Sequence, residues 1–266
     1  MIRKSLHRVR EATFCIELPN KASHDMPMPT GTGFFISPDG WFVTAAHVTS
    51  ENGNSDGPQR SDIDKAWLMK EHTAGRIGAM CQFPELMYVL PRYDISLLKV
   101  DFPKNLNKEW LEGKTEFPFI PVSKRPLEMG EPVYSFGYPL STGIAKKNGS
   151  AVIGTTQLSP RLTSAIVSSN LEKTNIIMTS VDTKHYVLDK ALNYGNSGGP
   201  IVAVETGYVH ALCSRFQPVF VPQMHMANEK GEYPVVMIPS LYGVVSSLAN
   251  QEILNLFEKL GIPISD

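Results

Sequence analysis

From about Thr13 onward the chain consists of short apolar or alternating runs, among them "TFCIEL", "GFFIS", "WFVTAA", "ISLLKV", "VYSFGY", "SAIVSS", "PIVAV" and "YVHAL", each stopped by Gly, Pro, Asn or Asp. Runs of this length bury one face as strands, and turn residues at every break send the chain back on itself. The pattern therefore predicts an all-β sandwich or barrel. Asp39-Gly40, between "FFIS" and "WFVT", is a hairpin signal. No unit of about 20–50 residues repeats, which argues against a propeller or solenoid. At 266 residues the chain can form one β domain or two tightly joined barrels.

Three polar stretches rich in Gly, Ser and Asn, residues 49–64, 140–162 and 222–233, read as surface loops. The tail changes character. In "NQEILNLFEKL" the residues Ile253, Leu254, Phe257 and Leu260 recur on one helical face, Ser240 can cap a short helix, and Gly261 and Pro263 stop it. Upstream of that segment little reads as a long amphipathic helix.

Formal net charge is −1, so no basic field invites nucleic acid, and no apolar run nears the ~18 residues of a membrane helix. The start, "MIRKSLHRVREATFCIEL", is basic, but its apolar stretch is interrupted and runs into Glu17, unlike a signal peptide. Cys15, Cys81 and Cys213 lack metal-ligand spacing and cannot all pair, so they read as reduced thiols in a cytoplasmic protein. No H-E-x-x-H motif or Cys/His cluster offers zinc a site, and no cofactor is expected. Gly31 and Gly33 in "GTGFF" lack the third glycine and the helix of a nucleotide loop.

The chemistry points elsewhere. Gly195-Asn196-Ser197-Gly198-Gly199-Pro200 brackets a hydroxyl with glycines that expose it beside backbone N–H groups, making Ser197 a candidate nucleophile. Serine needs a base to take its proton and a third group to orient that base. "FVTAAHV" supplies His47 and "YDISLLKV" supplies Asp94, in one of the known triad orders. Imidazole titrates near ~6.5, so it can accept the serine proton and return it to a leaving amine. Asp62 and Asp64 also lie between His47 and Ser197, but the run Ile95, Leu97, Leu98, Val100 marks a buried strand that carries Asp94 inward. Gly195 lets its own N–H and that of Ser197 converge as an oxyanion hole.

These motifs resemble those of the trypsin-like serine proteases, nearest to the HtrA/Deg-type and related bacterial peptidases. The similarity runs from "GTGFFIS" and "DGWFVTAAHV" through "DISLLKVD", "GEPVYSFGYP", "TSAIVS" and "LDKALNYGNSGGPIV" to "VVMIPS", in the family's order over roughly residues 30–240. It implies a chymotrypsin-like fold of two packed six-stranded antiparallel β-barrels with a C-terminal helical segment. Residues 1–118 would carry His47 and Asp94, residues 119–239 Ser197, and residues 240–266 the helical tail. A serine endopeptidase acting on polypeptides through an acyl-enzyme is expected, without the PDZ module that many HtrA-type proteins place after the protease. Asn196 stands where secreted digestive relatives have an aspartate that pairs with a new amino terminus, which implies activity without N-terminal processing. Counting back from Ser197 against the HtrA-type "DAAIN" puts Ala191 at the base of the specificity pocket. Leu212, Cys213 and Ser214 would form its wall, giving cleavage after small or medium aliphatic residues. The resemblance leaves the oligomeric state open, because residues 1–20 carry no family motif for assembly. Two other readings keep the fold: a catalytically silent protein that binds peptides by strand addition, and an esterase-type acyl hydrolase using the same triad.

Overall fold

The structure, a computed structural model, describes residues 2–72, 76–82, 85–101, 115–148, 151–171, 185–190, 192–224 and 235–266. It is mostly β, with few helices. The first unit holds β1 (Thr13–Asn20), β2 (Met26–Phe35), β3 (Trp41–Thr44), β4 (Trp67–His72), β5 (Arg76–Gln82), β6 (Glu85–Leu90) and β7 (Ile95–Lys99). They form a seven-stranded antiparallel sheet in the order β5-β4-β1-β2-β3-β7-β6. Its centre is aromatic: Phe35 stacks on Phe117 at 4.3 Å and meets Phe14 and Phe42 edge-on at 5.6 and 5.0 Å, the arrangements that ring quadrupoles favour. The Asp39-Gly40 hairpin forms as its sequence predicts, closed by the Ile36 N–H donating to the Trp41 carbonyl at 2.9 Å.

The second unit holds β8 (Val122–Ser123), β9 (Pro132–Gly137), β10 (Thr142–Asn148), β11 (Ala151–Gln157), β12 (Arg161–Leu171), β13 (His185–Leu188), β14 (Pro200–Ala203), β15 (Val209–Met224), β16 (Val235–Ser247) and β17 (Ile264–Ser265). The ring β14-β9-β12-β13-β16-β15 closes through the β14–β15 pairing into a six-stranded antiparallel barrel, and β8 and β17 extend it in parallel. Alternation along a strand lets both faces be buried. On β9, Val133 packs inside the barrel, while Tyr134 and Phe136 join a larger core shared with the first unit.

The N-terminus is a correction to the sequence reading. Residues Ile2–Ala12 form an 11-residue helix, α1, whose Val9 and Ala12 are buried. It packs on the second unit: the Ser5 and Tyr134 hydroxyls meet at 2.6 Å, and an Arg8 guanidinium nitrogen donates to the Gly207 carbonyl at 2.7 Å. Lys70 reaches the last turn and donates to the Arg10 and Glu11 carbonyls at 3.2 Å, which satisfies carbonyls that a helix end leaves open. The signal was present, since Ile2, Leu6 and Val9 recur at helical spacing.

The tail helix forms with Ile253, Leu254 and Phe257 buried, as expected, but it starts later. After the four-residue helix α2 (Ala46–Thr49), it is the third α-helix, α3 (Gln251–Lys259), and Asn250 caps it by accepting from the Glu252 N–H at 3.0 Å. Ser240 lies within β16 instead, because the β-branched pair Val244-Val245 that follows it is drawn into pairing with β13 and β15. The stretch 140–162 is likewise no loop. β10 and β11 pair antiparallel from Thr142↔Gln157 to Asn148↔Ala151, and the Thr, Ile and Val they contain suit a pleated surface. Of the third expected loop, Pro222, Gln223 and Met224 belong to β15 and residues 225–233 lie outside the described residues. Among the described residues no helix is long and apolar enough to cross a membrane.

Candidate active site

His47 sits in α2, immediately after β3. The turn is tied to the start of β7: the Ala46 N–H donates to the Asp94 carbonyl at 3.1 Å, and the His47 N–H donates to Asp94 Oδ1 at 3.0 Å. The ring follows the backbone, with Nδ1 2.9 Å from Oδ2 and 3.1 Å from Oδ1. Such a contact fixes which ring nitrogen carries the proton and leaves Nε2 as the basic edge. Asp62 is held by Arg60 at 2.8 Å, so it does not compete.

Asp94 closes the 3₁₀ turn Pro91–Tyr93 in a left-handed conformation, φ 53°. A non-glycine residue there is uncommon, although aspartate tolerates it better than most. The conformation aims the carboxylate inward, where its side chain is 3% exposed. Two hydroxyls complete its shell: Ser55 donates to Oδ1 at 2.8 Å and Ser214 to Oδ2 at 2.5 Å. Burial alone would raise this carboxyl; the hydrogen bond and charge of His47, with the Ser214 hydroxyl and the His47 N–H, outweigh it and hold Asp94 below the usual carboxylate range.

Ser197 lies in the turn before β14, between Gly195 at φ 92° and Gly198 at φ 82°. Both need glycine. A Cβ on Gly195 would stand 2.7 Å from the Tyr138 carbonyl oxygen, and one on Gly198 would collide with Thr32 and Thr44. Thr32 of β2 staples the turn from the first unit: its N–H donates to the Ser197 carbonyl at 2.8 Å and its hydroxyl to the Gly195 carbonyl at 2.6 Å. With those carbonyls engaged, the Gly195 and Ser197 N–H groups donate to no backbone carbonyl among the described residues. The Ser197 hydroxyl donates to the Ser214 carbonyl at 3.5 Å.

His47, Asp94, Gly195, Ser197, Cys213 and Ser214 line one cleft of about 730 Å³. Ser214 is the connecting element. It falls at a β-bulge, where the β15–β16 register shifts between Cys213 and Arg215, and a bulge re-aims a side chain. Its hydroxyl is thereby committed to Asp94, while the residue itself lines the cleft. Leu212 departs from the sequence reading: it is fully buried in the larger core and absent from the cleft lining, because it alternates with Cys213 along β15. Cys213 does line the cleft, and burial, then the Asp94 charge, pushes its thiol far up, so it stays an inert neutral group. Ala191 lies outside the described residues. Thr32, Ser55 and the hydroxyl role of Ser214 are the site features that sequence reasoning missed; Thr32, set between the glycines of "GTG", carried the one readable signal.

The trypsin-like peptidase domain family matches residues 31–212. This chain belongs to that family. Its relatives include Serine protease HTRA1A of Danio rerio, 24% identical over 212 residues, which cover 75% of this chain and 34% of that protein. Serine protease HTRA4 of Mus musculus is 24% identical over 226 residues, 80% of this chain and 38% of the other. This trypsin-like peptidase domain thus spans little more than a third of the length of those relatives. In fold it is similar to the HtrA-type protease AlgW with decapeptide, with a TM-score of 0.57 and 15% identity over 98% of this chain and 67% of that one.

Proposed function

We propose that this trypsin-like peptidase domain is a serine endopeptidase that cleaves polypeptides through an acyl-enzyme, with His47 as base, Asp94 as orienting acid and Ser197 as nucleophile. The observation that carries the reading is the continuous contact path His47–Asp94–Ser214–Ser197 within one cleft. His47 Nε2 takes the Ser197 proton as the hydroxyl attacks the scissile carbonyl, and gives it to the leaving amine. The buried Asp94 carboxylate stabilises the imidazolium between those steps. The Gly195 and Ser197 N–H groups receive the developing oxyanion, and water then releases the acyl group by the same route. The residues divide between the two halves, His47 and Asp94 in 1–118 and Ser197 in 119–239, so that the packing of one half on the other assembles the site.

Leu192 and the neutral Cys213 thiol on the cleft wall support cleavage after small or medium aliphatic residues. Casein hydrolysis tests the function, with Ser197→Ala as control: loss of the nucleophile from a working triad costs on the order of 10⁶ in kcat. A second reading, a silent peptide-binding protein, is favoured by the Ser197 hydroxyl, which is directed at Ser214 and not at His47. Catalytic hydrogen bonds are often long before substrate binds, and an intact chain without casein turnover would select that second reading.

A further inference from the structure

We infer that Arg215 is a specificity-determining residue that selects an acidic side chain on the substrate, within about three residues of the scissile bond at ~3.3 Å per residue of extended chain. The inference rests on the peptidase reading above. Arg215 follows Ser214, whose carbonyl accepts from Ser197 Oγ at 3.5 Å, and it lines the same cleft. It is half-buried and, among the described residues, forms no ion pair. Other cations are answered: Arg60 by Asp62, Lys70 by Glu11, Arg125 by Glu131. The other carboxylates lining the cleft do not serve it, since Asp94 is committed to His47, Ser55 and Ser214, and the exposed Asp56 makes no ion pair with it. Arg92, also on the lining, adds charge of the same sign.

The backbone provides the track on which such a side chain would arrive. β14 pairs with β15 only as far as Pro200↔Leu212, and two bonds continue that edge into the turn: the Cys213 N–H donates to the Gly199 carbonyl at 2.8 Å and the Gly198 N–H donates to the Cys213 carbonyl at 2.7 Å. Beyond them, β15 keeps β16 on one side and has no strand partner on the other among the described residues. An extended peptide adding to that free edge passes Arg215 directly after the nucleophile. Guanidinium is suited to the task, because its planar donors grip a carboxylate in a bidentate fashion.

The test compares matched peptides that differ only by Glu or Gln at each position flanking a cleaved bond. The intact chain should show a Glu/Gln ratio in kcat/KM of about 10 at one position, falling as salt rises. Arg215→Gln should bring that ratio to about one, Arg215→Glu should push it below one, and Arg215→Lys should retain part of it. Anisotropy of the labelled Glu and Gln peptides on Ser197→Ala protein reads the same preference as binding, without turnover. A ratio near one in the intact chain, or one that survives Arg215→Gln, overturns the inference and shows Arg215 to be a solvated surface charge. Hydrolysis of neither peptide with no labelling of Ser197 by a fluorophosphonate overturns the peptidase reading instead, and binding to Ser197→Ala then decides the acidic preference alone.

Discussion

The Ser214 hydroxyl of the second unit donates to Asp94 Oδ2 of the first at 2.5 Å. A hydrogen bond to a buried charge is worth about 1.5–3 kcal/mol. Ser214→Ala should therefore destabilise the fold by about that amount in urea unfolding at pH 7, and lower kcat more than it raises KM, because the orienting acid loosens while the cleft remains.

Asp94 gives a pH prediction of definite sign. Its folded carboxyl is held below the ordinary value of about 3.9, so the stabilisation is fully present above that value and is lost as pH falls through the lower folded value. Asp94→Asn should flatten the acid limb of a stability–pH curve. It should also reduce kcat by about 10⁴, through loss of the correct His47 tautomer. A full acid limb in the variant would assign that loss of stability to other carboxylates.

Glu17 runs the other way. It is 4% exposed in β1, and burial, opposed in part by the Thr156 hydroxyl, raises its carboxyl to about 7. Between the unfolded value near ~4.3 and pH 7 the folded state binds the extra proton, so stability drops as pH rises across that window, by on the order of 2–3 kcal/mol. Glu17→Gln should leave stability at pH 4 unchanged and raise it at pH 8, as thermal melts at the two pH values will read.

Thr32→Val keeps the side-chain shape but removes the hydroxyl that donates to Gly195 O and accepts from the Tyr138 N–H at 3.1 Å. The turn that presents the proposed oxyanion donors would relax, and misplacement by about 1 Å can cost 10²-fold. Single-turnover acylation should slow by about that factor, while His47 and Asp94 stay in place.

The helix α1 supports a prediction about processing. Asn196 is buried and uncharged, so nothing there attracts a new ammonium terminus. A chain starting at residue 13 loses the buried Val9 and Ala12 and the contacts to Tyr134 and Gly207. It should melt lower and show no gain in activity; a gain on trimming would contradict the account.

What the sequence could tell follows from how local each signal is. Strands such as β1, β3, β7, β9 and β14, the Asp39-Gly40 turn and the glycines around Ser197 were legible because alternation and backbone handedness are written within a few residues, whereas β10 and β11 lie in a polar stretch that reads as a loop until the two pair. Ser214's commitment to Asp94 was not, since it depends on a bulge that only pairing with β16 creates. Leu212 was misplaced for the same reason: its side of β15 is set by the strand's neighbours. α1 had a readable apolar spacing, but its basic residues drew attention to targeting signals, and the surface it covers belongs to strands more than a hundred residues away.

The central claim is that Ser197 is a nucleophile activated by His47 under the control of Asp94. Its most direct test is reaction of the intact chain with a fluorophosphonate, followed by mapping of the adduct by mass spectrometry. The account predicts one adduct, on Ser197, absent from Ser197→Ala and strongly slowed in His47→Ala. A folded chain that remains unlabelled, or that is labelled equally without His47, would contradict it.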